Sequence, residues 1–322
     1  MNILISSVGR RVSLVRAFKK ELIQRVPEGK VYASDAEPSL APACHVADGY
    51  FKVPRIKHKE YMDVLLENCL EKNIKLIIPT IDTELKTFAA NQSRFRKMGI
   101  EILISNREIV DICRDKRKIH SFFKSYGIRV AEEYDKKNYR LPMFLKPWDG
   151  SRSVDTFLIK KESDLNEYHF NNNKLMFLEY LDHSEYDEYT CDLYYNKNHK
   201  LTCVVPRKRL EVRDGEVNKG LTENNLIVGL LKDKLGTIPG ARGCLTAQFF
   251  KHKKNDVVYG IEINPRFGGG FPLTYLSGAN YPKWIIEEYL FNESNLNFFD
   301  GWEKNLLMLR YDDEILVRNY KG

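Results

Sequence analysis

The segment 1–105 alternates apolar runs typical of buried strands with stretches of helical periodicity, and this pattern constrains the fold more than any other feature. Proline and glycine at 27 and 29 follow the first helical stretch and Gly99 follows the third, as expected where helices end. Strands that alternate with helices form a parallel sheet with helices on its faces. The predicted strands are 1–6, 30–35, 75–79 and 101–105, and the predicted helices are 12–25, 61–72 and 84–98.

Such a sheet often binds a dinucleotide, but the first turn argues against that function. The turn 6–11 contains a single glycine, Gly9. A dinucleotide cradle needs several glycines so that the backbone can approach the pyrophosphate closely. Asp35 ends the second predicted strand, where a ribose-binding acid would lie, but without the glycines we interpret it as a turn or surface acid.

The pattern changes after Ser105, where a basic helix and short strands lead into a β-rich region. Changes of pattern near 108 and 180 predict an N-terminal α/β domain (1–108), a lid (109–180) and a mixed-sheet C-terminal domain (181–322). The predicted helices of this part are 109–126, 164–170, 223–234 and 281–291, the predicted strands include 142–146, 156–160, 244–251 and 257–263, and the tail 306–318 alternates like a closing strand pair.

The most specific motif is the sequence GIEINPRF at 260–267. Glu262 and Asn264 are two residues apart at the end of a predicted strand, so their side chains share one face. Gln248 lies in the preceding strand, and antiparallel pairing would bring it beside Glu262. These oxygen donors suit magnesium, and Arg266 on the same face can hold a phosphate. The alternative is an edge strand with solvated polar residues before a proline turn.

This cluster resembles the metal-binding signature of the ATP-grasp superfamily, and it is most similar to the carbamoyl-phosphate-synthetase-like branch. The likeness extends over nearly the whole chain. It implies that an open parallel α/β domain is followed by a two-part ATP-grasp module, which consists of the lid and the mixed-sheet C-terminal domain. It also implies that Gln248, Glu262 and Asn264 are the metal ligands.

The resemblance implies two lysines at the nucleotide phosphates. Lys116, in the basic helix, is similar to the family's first nucleotide lysine, although it also fits a solvated position in a lysine-rich helix. Lys146, after an apolar strand, is similar to the second, and both cations would neutralise phosphate charge. The loop 149–153 resembles the loop that covers the phosphates but has one glycine, and it offers Ser151 and Ser153 as donors.

The segment Glu179-Tyr180-Leu181 ends an apolar strand and resembles the hinge whose backbone recognises the adenine edge. The resemblance implies that Glu179 accepts a hydrogen bond from the exocyclic amine. Glu188 is similar to the family's ribose-binding acid. The polar stretch between the hinge and Glu188 is interpreted as a surface loop.

Several basic residues and one glycine run are candidates for contacts with the reacting acid. The resemblance implies that Arg266 stabilises the charge that develops in the reaction. Alternation places Arg207 and Arg209 on one face of a predicted hairpin, where solvent exposure explains them equally well, and Arg242 is a further candidate. The glycines 268–270 can form an anion cradle of backbone N–H groups or a mobile turn.

The resemblance implies a carboxylate–amine ligase that uses ATP and Mg²⁺, with Mn²⁺ as a substitute metal. A carboxylate would attack the γ-phosphate to give an acyl-phosphate and ADP, and an amine would displace phosphate to form an amide. An amino acid or a sugar acid is the expected substrate. The alternatives are an ATP-binding regulatory protein that does not turn over and a phosphotransferase that acts on a hydroxyl.

Composition disfavours several other classes. The 322 residues are 43% hydrophobic and 30% charged, as in ordinary globular proteins. The net charge of +7 comes from Lys and Arg spread along the chain, not from a nucleic-acid-binding stripe. There is no CxxC pair, signal-peptide pattern or membrane-span pattern. We expect a cytoplasmic protein with small-molecule carboxylate and amine partners, without nucleic-acid or membrane partners, and leave a homodimer as an open alternative.

Overall fold

The structure is a computed structural model that describes residues 1–150, 154–213, 215–294 and 297–320. Two short 3₁₀ helices span Pro38–Leu40 and Glu162–Asp164. The helices are α1 Val12–Arg25, α2 Pro42–Val46, α3 Tyr61–Glu71, α4 Asp82–Lys97, α5 Arg107–Arg114, α6 Lys116–Ser125, α7 Glu167–Asn171, α8 Leu226–Lys234, α9 Phe271–Leu276 and α10 Tyr281–Leu290. The strands are β1 Asn2–Ser6, β2 Val31–Asp35, β3 Gly49–Lys52, β4 Ile74–Pro79, β5 Glu101–Ile102, β6 Glu133–Tyr134, β7 Met143–Pro147, β8 Phe157–Ile159, β9 Leu175–Glu179, β10 Tyr186–Tyr195, β11 Leu201–Arg213, β12 Glu216–Thr222, β13 Gly243–His252, β14 Val258–Asn264 and β15 Leu307–Leu309.

The N-terminal part is a parallel sheet with the strand order β3-β2-β1-β4-β5, as the alternating pattern predicts. Side chains of the central strand β1 alternate between two apolar clusters. Ile3 and Ile5 pack with Phe18 of α1, whereas Leu4 packs with Phe88 of α4. Because both faces are buried, the strands are continuously apolar, which is typical of a parallel sheet covered by helices.

The C-terminal part is built on a six-stranded antiparallel sheet with the order β14-β13-β10-β11-β12-β15. Along β10, Tyr189, Cys191 and Leu193 face one apolar cluster, to which α6 and α8 also contribute. The alternate residues Glu188 and Thr190 face the opposite side of the sheet, because successive side chains of a strand point to opposite faces. This opposite side forms the base of the functional cleft described below.

A smaller antiparallel sheet has the order β6-β9-β7-β8 and has its own core of Met143, Leu145, Ile159 and Phe177. The helices that precede it do not pack on it. Ile119 and similar apolar side chains of α5 and α6 belong to the cluster beneath the six-stranded sheet. The predicted mixed α/β fold class is therefore confirmed, while the predicted domain boundaries stay a prediction.

Two sequence-based predictions differ from the structure. The helix predicted for 109–126 is interrupted at Asp115, whose carboxylate accepts a hydrogen bond from the backbone N–H of Arg117 and so begins α6. The closing strand pair predicted for 306–318 is wrong, because only Leu307–Leu309 pairs with β12 and Tyr311, like most of the segment after it, is exposed. No helix among the described residues is long and apolar enough to cross a membrane.

Candidate active site

A cleft of about 1490 Å³ lies where the three sheets meet. The parallel sheet contributes the residues that follow its strands, such as Asp82 after β4. The small sheet contributes Lys146 of β7 and the hinge segment after β9, and the six-stranded sheet contributes one whole face. Ligands of parallel α/β sheets collect at the carboxyl ends of the strands, so the position of the cleft agrees with the topology.

The strand register aligns polar side chains across the floor of the cleft. Gln248 lies directly opposite Glu262, as the sequence predicted, and Thr190 lies opposite Gln248 on the next strand. Arg207 lies opposite Thr190 on the strand beyond. Residues directly opposite each other in antiparallel strands share a face, so these four side chains form one row. We call this surface the cleft face; its members are Glu188, Thr190, Arg207, Arg209, Thr246, Gln248, Glu262 and Asn264.

The predicted metal ligands lie together at one end of this row. The Nδ2 of Asn264 donates to Oε1 of Glu262 at 2.9 Å, which leaves the amide oxygen of Asn264 free to bind a cation. Among the described residues, no group of three or more His, Cys, Asp and Glu is arranged to hold a metal. Gln248, Glu262 and Asn264, which we call the metal trio, offer one carboxylate and two amide oxygens. They therefore fit a magnesium ion that also takes phosphate oxygens as ligands.

The two predicted nucleotide lysines flank Glu262. Lys116 Nζ lies 3.7 Å from Oε2 of Glu262 and donates to the carbonyl oxygen of Gly150 at 2.5 Å. The pKa of Lys146 is lowered to about 8, mainly because of burial, with Glu262 opposing the shift and nearby Lys116 adding to it. Burial and the same two lysines lower the pKa of His120 to about 3, so this imidazole in the cleft wall is neutral at physiological pH.

The predicted adenine hinge lines the cleft on the side of the small sheet. The backbone N–H of Glu179 donates to the carbonyl of Glu132, and its Oε2 accepts from the backbone N–H of the same residue at 3.1 Å. Within the described residues, the backbone N–H of Leu181 has no partner, so it is available to a ligand. Tyr180 lies beside it in the cleft wall.

Glu188, the predicted ribose-binding acid, lies on the cleft face. Burial raises the pKa of its carboxyl group, although the guanidinium of Arg209 opposes the shift. The Nη1 of Arg209 lies 3.3 Å from Oε1 of Glu188, so two residues predicted to have separate roles are ion-paired. The structure therefore places Arg209 near the proposed ribose position.

The most buried arginine of the cleft face is Arg207, to which sequence reasoning gave no definite role. Its Nε and Nη2 donate to the two carboxylate oxygens of Asp192 at 3.0 and 3.1 Å, and both residues are almost completely buried. The hydroxyl groups of Thr246 and Thr274 donate to the same carboxylate. The Nη1 of Arg207 has no hydrogen-bond partner in the described part of the chain. A fixed guanidinium with one free donor in a cleft wall is suited to bind an anion.

The glycines 268–270 pack tightly against this face, with a turn at 269–270. A Cβ atom on Gly268 would meet the side chain of Thr246, and one on Gly270 would collide with the guanidinium of Arg207. The segment therefore needs glycine because neighbouring side chains approach its backbone closely. All three glycines line the cleft.

Arg266 connects the cleft face to the parallel sheet. Its Nη2 donates to Oδ2 of Asp82 at 2.7 Å. Burial opposes the protonation of Arg266, but the carboxylate of Asp82 outweighs it, so the pKa of Arg266 is raised. Its Nε is buried and has no partner among the described residues.

The remaining predicted site residues do not join the cluster. Arg242 does not line the cleft. Its backbone N–H donates to Ser105 Oγ at 3.2 Å, and its positive charge, together with the larger effect of burial, lowers the pKa of Lys197. We therefore do not retain Arg242 in the proposed site. Ser151 and Ser153 lie outside the described residues, so their proposed contacts with phosphate stay predictions.

Two family models match successive parts of the chain. Residues 3–103 match the model described as PylC-like, N-terminal domain. Residues 171–301 match the model described as ATP-grasp in the biosynthetic pathway with Ter operon. Among curated proteins, none is similar enough in sequence to count as a match.

Solved structures share the fold at low sequence identity. The biotin carboxylase domain dimer of Hydrogenobacter thermophilus 2-oxoglutarate carboxylase, in complex with MgADP, ADP and bicarbonate, has a TM-score of 0.70 and 14% identity, over 95% of this chain and 73% of that chain. A Campylobacter jejuni biotin carboxylase complex with β,γ-ATP has a TM-score of 0.71 and 15% identity, over 95% and 74%. Staphylococcus aureus N5-carboxyaminoimidazole synthetase complexed with ADP has a TM-score of 0.67 and 16% identity, over 92% and 78%. The nucleotides and magnesium in these structures agree with the predicted cofactors.

Proposed function

We propose that this chain, which matches a PylC-like N-terminal model over residues 3–103 and an ATP-grasp model over residues 171–301, is a carboxylate–amine ligase that activates an acid with MgATP. The observation that carries this proposal is the row of side chains on the cleft face. Glu262 and Gln248, which suit magnesium, lie on the same face as Arg207, which has a free donor. A metal–phosphate site next to an anion site is the arrangement that phosphate transfer to a carboxylate needs.

The nucleotide lies between the small sheet and the cleft face. The free backbone N–H of Leu181 binds the adenine edge, and Glu188 binds the ribose. Lys146 and Lys116 bind the phosphates, and Lys116 exchanges its contact with Glu262 for one with phosphate. Gln248, Glu262 and Asn264 would hold magnesium, which neutralises phosphate charge when bound, and Mn²⁺ fits the same oxygen donors.

The acid lies beside Arg207, Arg266 and the glycines 268–270. Its carboxylate oxygen attacks the γ-phosphorus in line, the bond from that phosphorus to ADP breaks, and an acyl-phosphate forms. Arg266 stabilises the charge that develops on the transferred group. The amine nitrogen then attacks the acyl carbon, phosphate leaves with the bonding electrons, and the amine loses a proton to give the amide. A closed cleft protects the acyl-phosphate from water.

The test is ADP release from MgATP in the presence of pooled amino acids and sugar acids, with hydroxylamine added to trap an acyl-phosphate as a hydroxamate. We expect ADP and hydroxamate only with a particular acid, and an amide when its amine replaces hydroxylamine. Glu262→Gln should abolish the signal. The matched control is Glu211→Gln on exposed β11, which should retain it because Glu211 does not line the cleft.

The other outcomes identify the rival functions. A phosphorylated alcohol without hydroxamate would indicate a phosphotransferase. Tight ATP binding without ADP release in any pool would indicate a regulatory protein. An active Glu262→Gln variant would remove Glu262 from the metal site.

A further inference from the structure

The cleft is more basic than its nucleotide site requires. Among the described residues that line it, eleven are Lys or Arg and six are Asp or Glu. Lys116 and Lys146 lie with the proposed phosphates, and Arg207 and Arg209 are paired with acids. A further group of cations lies at the opposite side of the cleft, where the parallel sheet ends.

These further cations follow neighbouring parallel strands. Arg10 follows β1, and Arg55 and Lys57 follow β3. Since β1, β2 and β3 are adjacent and parallel, their carboxyl ends meet at one edge, which faces the cleft. We call Arg10, Arg55 and Lys57 the basic edge. None of the three side chains has an ion pair or hydrogen bond with another described residue.

The acidic side chains near the basic edge, Asp35 and Asp82, have other partners. Asp35 accepts hydrogen bonds from the backbone N–H groups of Gly9 and Glu37, both at 3.1 Å. Asp82 is paired with Arg266 at 2.7 Å. Asp35 keeps its negative charge, because neutral N–H groups do not cancel it, but it is one carboxylate beside the three cations of the basic edge. A net positive charge therefore remains, and a cleft concentrates the field of such charges.

Positive charge is also incompletely balanced deeper in the cleft, at Arg11. Arg11 is largely buried and its ion pair with Glu216 is long, 3.8 Å. Glu216 also pairs with Arg310 at 3.2 Å. Burial lowers the pKa of Arg11, and Arg266 lowers it further, so an additional anion at this position would stabilise the guanidinium.

We infer that the activated acid carries a second anionic group, a carboxylate or a phosphate, which binds at the basic edge while the reacting carboxylate lies at Arg207. This inference rests on the proposed function and narrows its substrate class. A monoanionic acid would leave the three cations of the basic edge without a partner. An acid with two anionic groups would bridge the cleft and be oriented by both ends, which favours in-line attack.

The test measures binding directly, so it does not depend on turnover. Wild-type protein saturated with MgADP is titrated calorimetrically with two pairs of acids that differ in a second anionic group: glutarate against its nearly isosteric monoamide, and 3-phosphoglycerate against glycerate. We call the member with two anionic groups the dianion of its pair. We expect the dianion of at least one pair to bind about tenfold or more tightly than its partner, because it gains charge-assisted hydrogen bonds. The pair that shows the difference identifies the second group as a carboxylate or a phosphate.

A triple variant and a matched control test whether the difference in affinity between the two acids of a pair arises at the basic edge. In Arg10→Gln/Arg55→Gln/Lys57→Gln the preference for the dianion should disappear. The control, Arg16→Gln/Lys20→Gln/Lys59→Gln, removes the same charge from exposed residues that lie outside the cleft and have no ion pair with a described residue. It should keep the preference, and both variants should bind MgADP as wild type does.

The inference is overturned if, in both pairs, the two acids bind the wild type with equal affinity or do not bind. It is also overturned if the basic-edge variant still binds the dianion more tightly than its partner. Neither result would affect the proposed ligase activity, which depends on the hydroxamate assay and on Glu262. Conversely, a regulatory protein without turnover would still show the dianion preference if the basic edge binds an acid.

Discussion

Lys146 is a half-buried cation in the cleft that we propose binds phosphate. Its ammonium group pairs with no carboxylate at hydrogen-bond distance among the described residues, and burial lowers its pKa to about 8. A bound phosphate would supply the missing counter-charge and raise this pKa again. If Lys146 binds the nucleotide phosphates as proposed, nucleotide binding should be linked to proton uptake.

Affinity for MgADP should fall as the pH rises from 7 to 9, because Lys146 loses its proton near pH 8 in the free protein. Above the pKa the expected loss approaches about tenfold per pH unit. Lys146→Arg should bind with nearly constant affinity, because arginine stays protonated. Calorimetric titrations at several pH values measure the effect, with exposed Lys161→Arg as the control. His120 cannot cause the fall, since its pKa is already about 3.

A constant wild-type affinity between pH 7 and 9 would contradict this assignment. So would a fall of equal size in Lys146→Arg, which would place the titrating group elsewhere.

At the scale of secondary-structure elements, the sequence predicted contacts between strands joined by a short turn better than contacts that depend on the register of long strands. The pairing of Gln248 with Glu262 could be predicted because β13 and β14 are joined by a short polar turn, which fixes their register. The pair formed by Asp192 and Arg207 could not be predicted. It depends on the register of two long strands, and Asp192 occurs in an apolar stretch that gives no sign of a partner.

The predicted helix 109–126 shows the same limit. Its apolar periodicity continues across Asp115, so the pattern alone does not reveal the break. The side chain of Asp115 caps α6, and Lys116 as the first residue of α6 then faces the cleft. The cap therefore positions a proposed phosphate ligand. Aspartate is preferred at helix N-caps, so Asp115 inside the helical pattern was the one indication of a helix break in the sequence.

The glycine segment before α9 should tolerate no side chain next to Arg207. In Gly270→Ala the new methyl group would collide with the guanidinium, whose other side is held by Asp192, so the free Nη1 must move. We expect acid-dependent ADP release to fall by about tenfold or more while MgADP binding stays unchanged. Steady-state assays and calorimetry separate the two effects.

The matched control is Gly229→Ala in the middle of α8, where a Cβ atom would contact nothing within 4 Å. Alanine there should raise the free energy of unfolding by about 0.5–1 kcal/mol, because glycine is a poor helix former. If Gly270→Ala supports normal ADP release, Arg207 does not contact the acid.

At the scale of the whole molecule, the cleft joins all three sheets, so ligands in it should stabilise the entire chain. MgADP at about one hundred times its dissociation constant should add about 2.7 kcal/mol to the free energy of unfolding. In Glu262→Gln the part of this stabilisation that depends on magnesium should be lost, and the part seen with ADP and EDTA should remain. Thermal unfolding with and without magnesium measures both.

Glu211→Gln should behave as the wild type in this experiment. Equal stabilisation of wild type and Glu262→Gln by magnesium would place the metal away from the trio.

The two sides of the cleft come from separate stretches of the chain. The basic edge and its strands lie within residues 1–57, whereas the metal trio and both proposed nucleotide lysines lie after residue 107. The proposed contact with the second anionic group of the acid should therefore be separable by substitution from the proposed phosphate chemistry, whereas the reacting carboxylate lies with the later part of the chain at Arg207. If the proposed function is right, grafting other short loops after β1 and β3 should change which acids bind while leaving the proposed ATP site intact.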